Sequence, residues 1–324
     1  MAYNPVVTDI ITEYGAYYEN AGQNMKRLIT QLLYGFELIK YMTPIKTEDT
    51  IYRMAESEIG YVLQPFQIDF SKTSDVEFKP NEIRLYKNKI DQKFSPDTVE
   101  ETWLGFLASN DVDRAKWPLI KYLIEKLIIP QANEDLENAI FFAEYKAPVV
   151  AGTPGALLDI MDGLKKQLVD GIGNGLNRIT LNTLTTSNIF DEIEKFRKGI
   201  SLVYRRKDLV YFMSPTWAEA YQMGKRDEFP TKESLDYKKV DFSPHMVVGI
   251  PGMESSDIIF TTPKSNLLYL TKKNANMTRF QIEGYERTVK LMSDFFQGVG
   301  FGTLQAVFAS IPDGEIGSGS GSSS

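Results

Sequence analysis

The chain contains no cysteine and a single histidine among its 324 residues. Without cysteine it can form no disulfide, no thiolate metal site and no cysteine nucleophile, and a zinc site built from histidine and cysteine lacks its ligands. No run of eighteen uncharged apolar residues occurs, and no basic-then-apolar segment opens the chain. A membrane span and a secretory signal are therefore not expected, and neither is a metal or an organic cofactor.

The chain also lacks an excess of positive charge: its net charge is −7. Strong binding of nucleic-acid phosphates requires clustered lysine and arginine, so sequence-specific nucleic-acid binding is not predicted. What is present is apolar material, 43% of the residues, which is enough to build a large core.

Two glycine clusters lack the surroundings of a phosphate loop. "DGIGNGLNR" (171–175 and flanks) follows a predicted helix rather than a strand, and "QGVGFGT" (297–303) lacks the closing Gly-Lys-Ser/Thr. Glycines inside a strand more often mark a bend or a close backbone approach. We therefore predict a bent strand at Gly298, Gly300 and Gly302.

Catalytic constellations are also scarce. The one histidine, His245, has no motif partner and is predicted to be a structural residue at a strand edge. Glu100, Glu101 and other paired acids lie at helix starts or beside basic residues, where dipole complementation and i,i+4 pairing account for them. No catalytic residue is predicted, although a carboxylate-based enzyme remains an alternative.

The apolar periodicities alternate irregularly between helix and strand, which predicts an α+β fold. Leu28, Leu32 and Phe36 recur at helical spacing, which predicts a helix over about 23–41. Phe66, Ile68 and Phe70 alternate with polar residues before a polar, turn-rich stretch, and the alternation resumes after it, which predicts a two-stranded excursion over 59–95, marginally stable alone. The strongest helix signal covers 111–145, with Asp111 or Asp113 as its cap and a kink at Pro130.

Several stretches, taken in order, resemble the major capsid proteins of tailed bacteriophages, the Hong Kong 97-type fold that encapsulin nanocompartments share. "DRAKWPLIKYLIEKLIIPQANEDLENAIFFAEY" is similar to the spine helix, and "FSPDTVEETWLGF" before it to the return strand of the E-loop. "DLVYFMSPTWAEAYQMGKRD" predicts a strand that ends at Pro215 and a short helix capped by Ser214. This stretch and "VVGIPGMESSDIIFTTPKSNLLYLTKK" resemble segments of the axial domain. "FQIEGYERTVKLMSDFFQGVGFGTLQAVFA" resembles the strands that close the chain.

The resemblance implies a division of the chain. It consists of an N-terminal arm (1–43), a peripheral domain with the spine helix (44–58 and 96–153), an E-loop (59–95), an axial domain (154–277), closing strands of the peripheral domain (278–300), a return strand (301–312) and a flexible Gly/Ser tail (313–324).

The resemblance also implies a function. The chain would be a structural subunit of an icosahedral capsid, assembling into hexamers and pentamers around double-stranded DNA, undergoing procapsid maturation, and ending in the virion after assembly in the host cytoplasm. A separate scaffolding protein, a portal and decoration proteins are the implied partners. The predicted inter-subunit contacts are Phe70, Lys72, Asp75 and Lys79 in the E-loop and Tyr14 and Tyr17 in the arm. An encapsulin-type shell subunit is the alternative within this fold.

Overall fold

The computed structural model describes residues 6–20, 22–59, 64–66, 68, 76–113, 115–148, 150, 152–228, 236–241, 243–273 and 279–316, with 55–59, 76–80 and 279 described by backbone alone. Helices and strands alternate irregularly in it, as the α+β prediction requires. Its helices are α1 (Val7–Tyr14), α2 (Gly22–Tyr34), α3 (Pro96–Asn110), α4 (Leu119–Tyr122), α5 (Ile129–Phe142), α6 (Leu164–Asp170), α7 (Ile189–Gly199), α8 (Leu202–Arg205), α9 (Pro215–Glu228) and α10 (Asp313–Ile316).

The helix predicted over 23–41 is shorter than the periodicity suggested. It ends at Tyr34, and Phe36 is in an extended conformation before a separate 3-10 turn, Glu37–Tyr41. The reason is tertiary. Phe36 is buried against Tyr269, with ring centroids 5.1 Å apart, in a different apolar cluster from the one that takes Leu32.

The long helix predicted over 111–145 runs from α4 through a π-helical segment, Leu123–Ile128, into α5. Neither predicted cap, Asp111 or Asp113, lies at the start of α4. Pro118 stands there without a side-chain cap, and Asp111 ends α3 in a left-handed conformation. Pro130 lacks a backbone donor, and the wider π turn lies directly before it. The π-helical segment therefore accommodates the break that the proline makes in the backbone hydrogen-bond ladder of the helix.

One sequence interpretation is wrong: "FSPDTVEETWLGF" is not a strand but the start of α3. Ser95 is extended, Pro96 occupies the first turn and Asp97 follows it, an arrangement typical of a helix N-terminus. The helix buries Trp103 almost completely, with 1% of its surface exposed, and the indole N–H donates to the carbonyl of Trp117 at 2.9 Å.

The larger sheet has the order β1-β9-β11-β10, with β4 also paired to β11. Its strands are β1 (Thr43–Thr47), β4 (Tyr86–Phe94), β9 (Leu267–Lys272), β10 (Arg279–Tyr285) and β11 (Thr288–Phe301). β1 lies parallel to β9, whereas β4, β9 and β10 are all antiparallel to β11. β11 is therefore the strand on which this sheet is organised.

The second sheet has the order β5-β12-β8-β6-β7. Its strands are β5 (Asn177–Arg178), β6 (Val210–Met213), β7 (Met246–Gly249), β8 (Ile259–Thr262) and β12 (Phe308–Ser310). The predicted strand-Pro-helix segment is confirmed as β6 followed by α9, whose first turn is capped by Ser214 Oγ accepting the N–H of Trp217 at 3.2 Å. Apolar residues of α7 and α9 pack together with those of this sheet.

A two-stranded ribbon projects from this body. It pairs β2 (Ile51–Ile59) with β3 (Val76–Arg84), so that Ile51 lies opposite Arg84 and Ile59 opposite Val76. Phe66 and Ile68, predicted in a strand, lie outside any strand. β4, which the sequence grouped with the excursion, belongs to the larger sheet.

The glycines of "QGVGFGT" mark a close approach rather than a phosphate loop. A Cβ at Gly298 would lie 2.5 Å from the carbonyl oxygen of Arg84, and one at Gly300 2.5 Å from Gln167 Oε1. Both glycines remain within β11, at the point where that strand passes from β4 to β9. Their lack of a side chain lets the root of the ribbon and α6 sit directly against the strand.

The segment predicted as a flexible tail from 313 onwards begins with an ordered turn. Asp313–Ile316 form α10, and two ion pairs attach it to the body: Asp313 with Arg178 at 2.5 Å and Glu315 with Lys165 at 2.8 Å. The tail prediction is therefore wrong for 313–316, because charged side chains there find partners on the body. The rest of the tail, 317–324, lies outside the described residues.

Candidate assembly surfaces

The root of the ribbon is fixed to the body. Ile83 and Leu85 are buried in a small apolar cluster with Leu268 and Leu270 of β9. Asn81 Nδ2 donates to the carbonyl of Phe301 at 2.5 Å, which connects β3 to the end of β11. The ribbon thus leaves the body at a defined place and direction.

The far end of the ribbon exposes apolar side chains. Phe66 has 94% and Ile68 93% of its surface exposed, so neither is covered by its own chain. Of the predicted contact residues, Phe70, Lys72 and Asp75 lie outside the described residues. Lys79 is described by its backbone, which pairs with Glu56. The role of these four residues stays a prediction.

A second polar junction lies beside the root, in a cleft of about 480 Å³ between β3 and α6. Asp162 accepts hydrogen bonds from the Tyr86 hydroxyl, from Lys166 at 2.9 Å and from the N–H of Tyr145 at 3.2 Å. Burial works to raise the pKa of Asp162, but these donors outweigh it and hold the pKa below its usual range. Gln167 Nε2 reaches the carbonyl of Val299 at 2.5 Å. These polar groups bind one another, which gives the cleft a structural role.

The N-terminal segment folds onto its own chain. Tyr14 is 2% exposed, and its hydroxyl donates to the carbonyl of Phe280 at 2.5 Å; burial raises its pKa. Tyr17 is half-buried, edge-on to Tyr18 at 4.9 Å, with Lys121 Nζ 4.8 Å from the centroid of its ring. Tyr14 therefore stabilises the subunit itself, and contacts of Tyr14 and Tyr17 with a neighbour stay a prediction.

A half-buried carboxylate on the long helix, Glu125, holds Tyr18 in place. Glu125 accepts the Tyr18 hydroxyl at 3.1 Å and pairs with Arg27 of α2 at 2.7 Å. Burial and the nearby Glu125 both raise the pKa of Tyr18, which keeps the hydroxyl protonated as a donor. Because Glu125 is held from two sides, the N-terminal helices keep one register on the long helix.

The single histidine is a structural residue, as predicted. His245 is fully buried just before β7; its Nε2 lies 3.0 Å from the carbonyl of Arg205 and its Nδ1 is bonded to the Tyr211 hydroxyl. A carbonyl can only accept, so Nε2 carries the proton and Nδ1 accepts from the tyrosine. Burial lowers the pKa of His245, in keeping with this neutral form. Neither nitrogen is available to a serine.

The carboxylates of the alternative enzyme hypothesis do not converge. Glu101 is exposed and Glu100 half-buried on α3, whereas His245 lies beside the second sheet. Across the described residues, no group of three or more His, Asp or Glu side chains is placed to hold a metal ion. Nor is any described helix long and apolar enough to cross a bilayer.

A further exposed surface, on α8, was not predicted from the sequence. Leu202 is 71% and Val203 73% exposed, in the stretch "SLVYRRKD". The basic residues there are typical of a solvated turn, and a contact with an acidic neighbour or with packed DNA is the alternative interpretation of the sequence. An apolar pair directly before a basic run was the available signal, but exposure cannot be read from residue type.

Solved structures that match this architecture include capsid and compartment shells. One is a chain of the satellite phage P4 procapsid including the size determination (Sid) protein: 14% identity, 96% of this chain and 92% of that one covered, TM-score 0.55. Another is the capsid of an empty GTA particle: 12% identity, coverage 85% and 89%, TM-score 0.54. A third is the holo-SrpI encapsulin complex from Synechococcus elongatus PCC 7942: 14% identity, 85% of this chain and 86% of that one covered, TM-score 0.51.

No protein-family model matches the sequence, and no curated protein matches it significantly. The structural likeness nevertheless runs over nearly the whole of both chains. The chain therefore has the Hong Kong 97-type capsid fold, as the order of its sequence segments predicted.

Proposed function

We propose that the chain is the major capsid protein of a tailed bacteriophage, a structural subunit that assembles into hexamers and pentamers and encloses double-stranded DNA. The observation that carries the proposal is the likeness to the P4 procapsid chain, which covers 96% of this chain and 92% of that one. Because the match covers nearly the whole of both chains, the capsid fold extends over nearly the whole chain and is not confined to one domain.

The ribbon supports this function independently. Two paired strands alone are marginally stable in water. Its nine residue pairs make the ribbon about 30 Å long at ~3.3 Å per residue, from a root packed on the body to a far end that exposes Phe66 and Ile68. A soluble monomer gains nothing from such a structure. In a closed shell the adjacent subunit covers it, and the same contact repeats at every equivalent position.

The remaining assignments follow from the same proposal. Phe70, Lys72, Asp75 and Lys79 on the E-loop, with Tyr14 and Tyr17 on the N-terminal arm, are the proposed contacts with neighbouring subunits. A separate scaffolding protein, a portal and decoration proteins are the proposed partners, assembly takes place in the host cytoplasm, and the product resides in the virion. The subunit is not an enzyme and confines DNA without reading its sequence, in keeping with a net charge of −7.

The test is assembly of the purified chain, alone and together with the products of adjacent genes. Sedimentation velocity and negative-stain electron microscopy should show closed shells, or hexamers and pentamers. A subunit that remains monomeric at high concentration under all these conditions would refute the proposal.

An encapsulin-type compartment is the second candidate, because the SrpI encapsulin matches with a TM-score of 0.51 over 85% of this chain. The two candidates differ in what the particles contain. Nuclease-protected DNA in particles isolated from the native host supports the phage capsid. A single co-purifying protein cargo and no DNA supports the compartment.

A further inference from the structure

Helix α8 carries an apolar pair that its own subunit leaves uncovered. Leu202 and Val203 are 71% and 73% exposed. Ser201 before them and Arg206 and Lys207 after them are exposed polar residues. Adjacent apolar side chains exposed within polar surroundings are typical of contact surfaces.

The pair sits on a rigid support. Arg205 donates to the carbonyls of Lys198 and Ile200 at 2.5 and 2.8 Å, which fixes the turn between α7 and α8. Tyr204 packs edge-on against Phe308 of β12, with centroids 5.4 Å apart. The turn thus presents its apolar pair outward without having to be ordered on binding, which lowers the cost of association.

The surface around the pair is basic. Residues 195–208 contain six basic residues and one acidic residue, a net charge of +5. Two of the basic residues are already paired with glutamates of α7. Lys198, Arg206 and Lys207 are exposed, and none of them forms an ion pair with a residue that the structure describes. A partner for this surface should therefore be acidic as well as apolar.

Helix α3 presents such a surface. Asp97, Glu101, Leu104 and Ala108 follow one another at intervals of four, three and four residues, so they share one face of the helix, and all of them are exposed. Residues 94–113 contain five acidic residues and no basic one, a net charge of −5. In the described part of the chain, none of these five acids has an ion-pair partner. This face therefore combines apolar side chains with unpaired negative charge.

The two helices do not cover each other within one chain. Trp103 of α3 is buried in one apolar cluster, whereas Tyr204 of α8 packs against another, the cluster around Phe196. The outer faces of both helices stay exposed in the same subunit. A contact between them therefore requires a second copy of the chain.

A competing apolar surface is less complementary to α8. Leu157 and Leu158 are 40% and 47% exposed, and residues 144–162 around them contain three acidic residues and one lysine. One of these acids, Asp162, already pairs with Lys166 at 2.9 Å. The negative charge left there is much smaller than that around α3. Charge therefore favours α3 as the partner of α8.

DNA is a competing partner of a different kind. Its phosphates would bind the unpaired cations around α8. They would leave Leu202 and Val203 without an apolar partner, and they would leave the acids of α3 without a cation. A second copy of the chain satisfies both surfaces, so the observations favour it over DNA.

We propose that the exposed face of α8 in one subunit docks on the exposed face of α3 in a second copy of this chain. Leu202 and Val203 pack on Leu104 and Ala108, and the basic residues around α8 face the acidic residues of α3. Because the two faces are unlike, the contact is heterologous, and each copy binds one neighbour through α8 and another through α3. The inference rests on the proposed shell function and adds to it one pair of surfaces through which subunits join.

The absence of cysteine allows a direct test, because thiols can be placed on the two faces alone. Leu104→Cys or Ala108→Cys is combined in one chain with Leu202→Cys or Val203→Cys, all of them at exposed positions. A disulfide forms only if the two Cβ atoms come within about 3.5–4.5 Å. Oxidised particles of at least one double variant should therefore give a ladder of linked subunits on a non-reducing gel.

The matched control joins the same α3 positions to the competing surface. Leu104→Cys or Ala108→Cys with Leu157→Cys should give no linked subunits. Co-assembly of single variants excludes a link within one chain: a mixture of Leu104→Cys and Leu202→Cys subunits should give dimers and no longer products.

Two results separate this contact from the shell function. Particles that form normally but show no link between α3 and α8, or that link α3 to position 157, overturn the docking surface and leave the shell function intact. If the unsubstituted chain forms no particle, the shell function fails and the docking surface fails with it.

Charge reversal tests the same contact without thiols. Lys198→Glu with Arg206→Glu should raise the subunit concentration needed for half-maximal assembly about tenfold, and less at high salt because exposed charges are screened. Asp97→Asn with Glu101→Lys in the reversed chain should recover most of that loss. Lys146→Glu, beside the competing surface, is the control and should change the concentration less than about twofold.

The recovery is the decisive result. Lys198 lies in the last turn of α7, where a glutamate also lowers the stability of the helix, so a loss of assembly alone does not establish the contact. Reversed chains that the α3 substitutions fail to rescue would contradict the docking surface. Particles that assemble normally with the reversed residues but hold less nuclease-protected DNA would assign α8 to DNA and overturn the contact with α3.

Discussion

Replacing Gly298 by alanine should destabilise the subunit through one atom. The new Cβ would lie 2.5 Å from the carbonyl oxygen of Arg84 and 3.3 Å from the Cα of Leu85, both backbone atoms that cannot rotate away. Either β11 or the junction of β3 and β4 must move. Overpacking of a tight interior costs roughly 1–3 kcal/mol of unfolding free energy.

A matched control is available in α3. A Cβ at Gly105 meets no atom within 4 Å, so Gly105→Ala is the same chemical change without the clash. Because glycine in a helix interior costs about 1 kcal/mol relative to alanine, this variant should be more stable than the unsubstituted chain. The two variants therefore move in opposite directions.

Urea denaturation of the dissociated subunit, followed by tryptophan fluorescence, measures both changes. The midpoint should fall for Gly298→Ala and rise for Gly105→Ala, with unchanged slopes. If Gly298→Ala unfolds at the same midpoint as the unsubstituted chain, the close approach of the ribbon root to β11 does not contribute to stability, and the packing argument for that glycine is refuted.

The remaining predictions use the same denaturation assay. Trp103→Ala should cost about 3–5 kcal/mol, because it empties a fully buried site and leaves the carbonyl of Trp117 without its donor; a midpoint within error of the unsubstituted chain would contradict this. The pKa of Asp162 is lowered in the folded state, so its contribution to the unfolding free energy is complete above its unfolded pKa of about 3.9. That contribution is lost as the pH falls through the lower folded pKa. Asp162→Asn should therefore reduce the loss of stability at acid pH. The pKa of His245 is also lowered in the folded state, so below about pH 6.5 the unfolded chain takes up the proton first and the unfolding free energy declines. His245→Gln should reduce this dependence of the unfolding free energy on pH. A dependence that persists unchanged would show that another group causes it.

Much of the fold could be predicted because its strongest elements carry strong local signals. The apolar periodicity of the long helix, the strand–proline–helix of β6 and α9, and the alternation of β10 and β11 all appear in the structure as elements of the predicted type. These are segments in which local preference and burial act in the same direction.

The errors have tertiary or competing local causes. Phe36 fits the helical spacing of α2, but its place in a different apolar cluster ends the helix. The helix start at Ser95, Pro96 and Asp97 was readable from residue type, whereas the resemblance to a capsid family indicated a returning strand. At this segment the local chemistry was the better guide, because a helix N-terminus depends on a few adjacent residues.

The candidate surfaces were less predictable than the elements. Tyrosine is common at interfaces, but the burial of Tyr14 against Phe280 depends on a contact 266 positions away. Leu202 and Val203 have the residue types of a core, and only the arrangement of the α7–α8 turn leaves them exposed. Residue type gives the chemistry of such positions, whereas the three-dimensional path of the chain decides which side of the surface they occupy.

β11 has a consequence for the timing of synthesis. β1, β4 and β9 are made before it, yet β4 and β9 pair with β11 and not with each other, and β12 of the second sheet follows it in the chain. On the ribosome, the larger sheet therefore cannot close until residues 288–301 have emerged. The ribbon strands β2 and β3 are therefore made well before β11, the strand whose end accepts the hydrogen bond of Asn81 at the root of the ribbon.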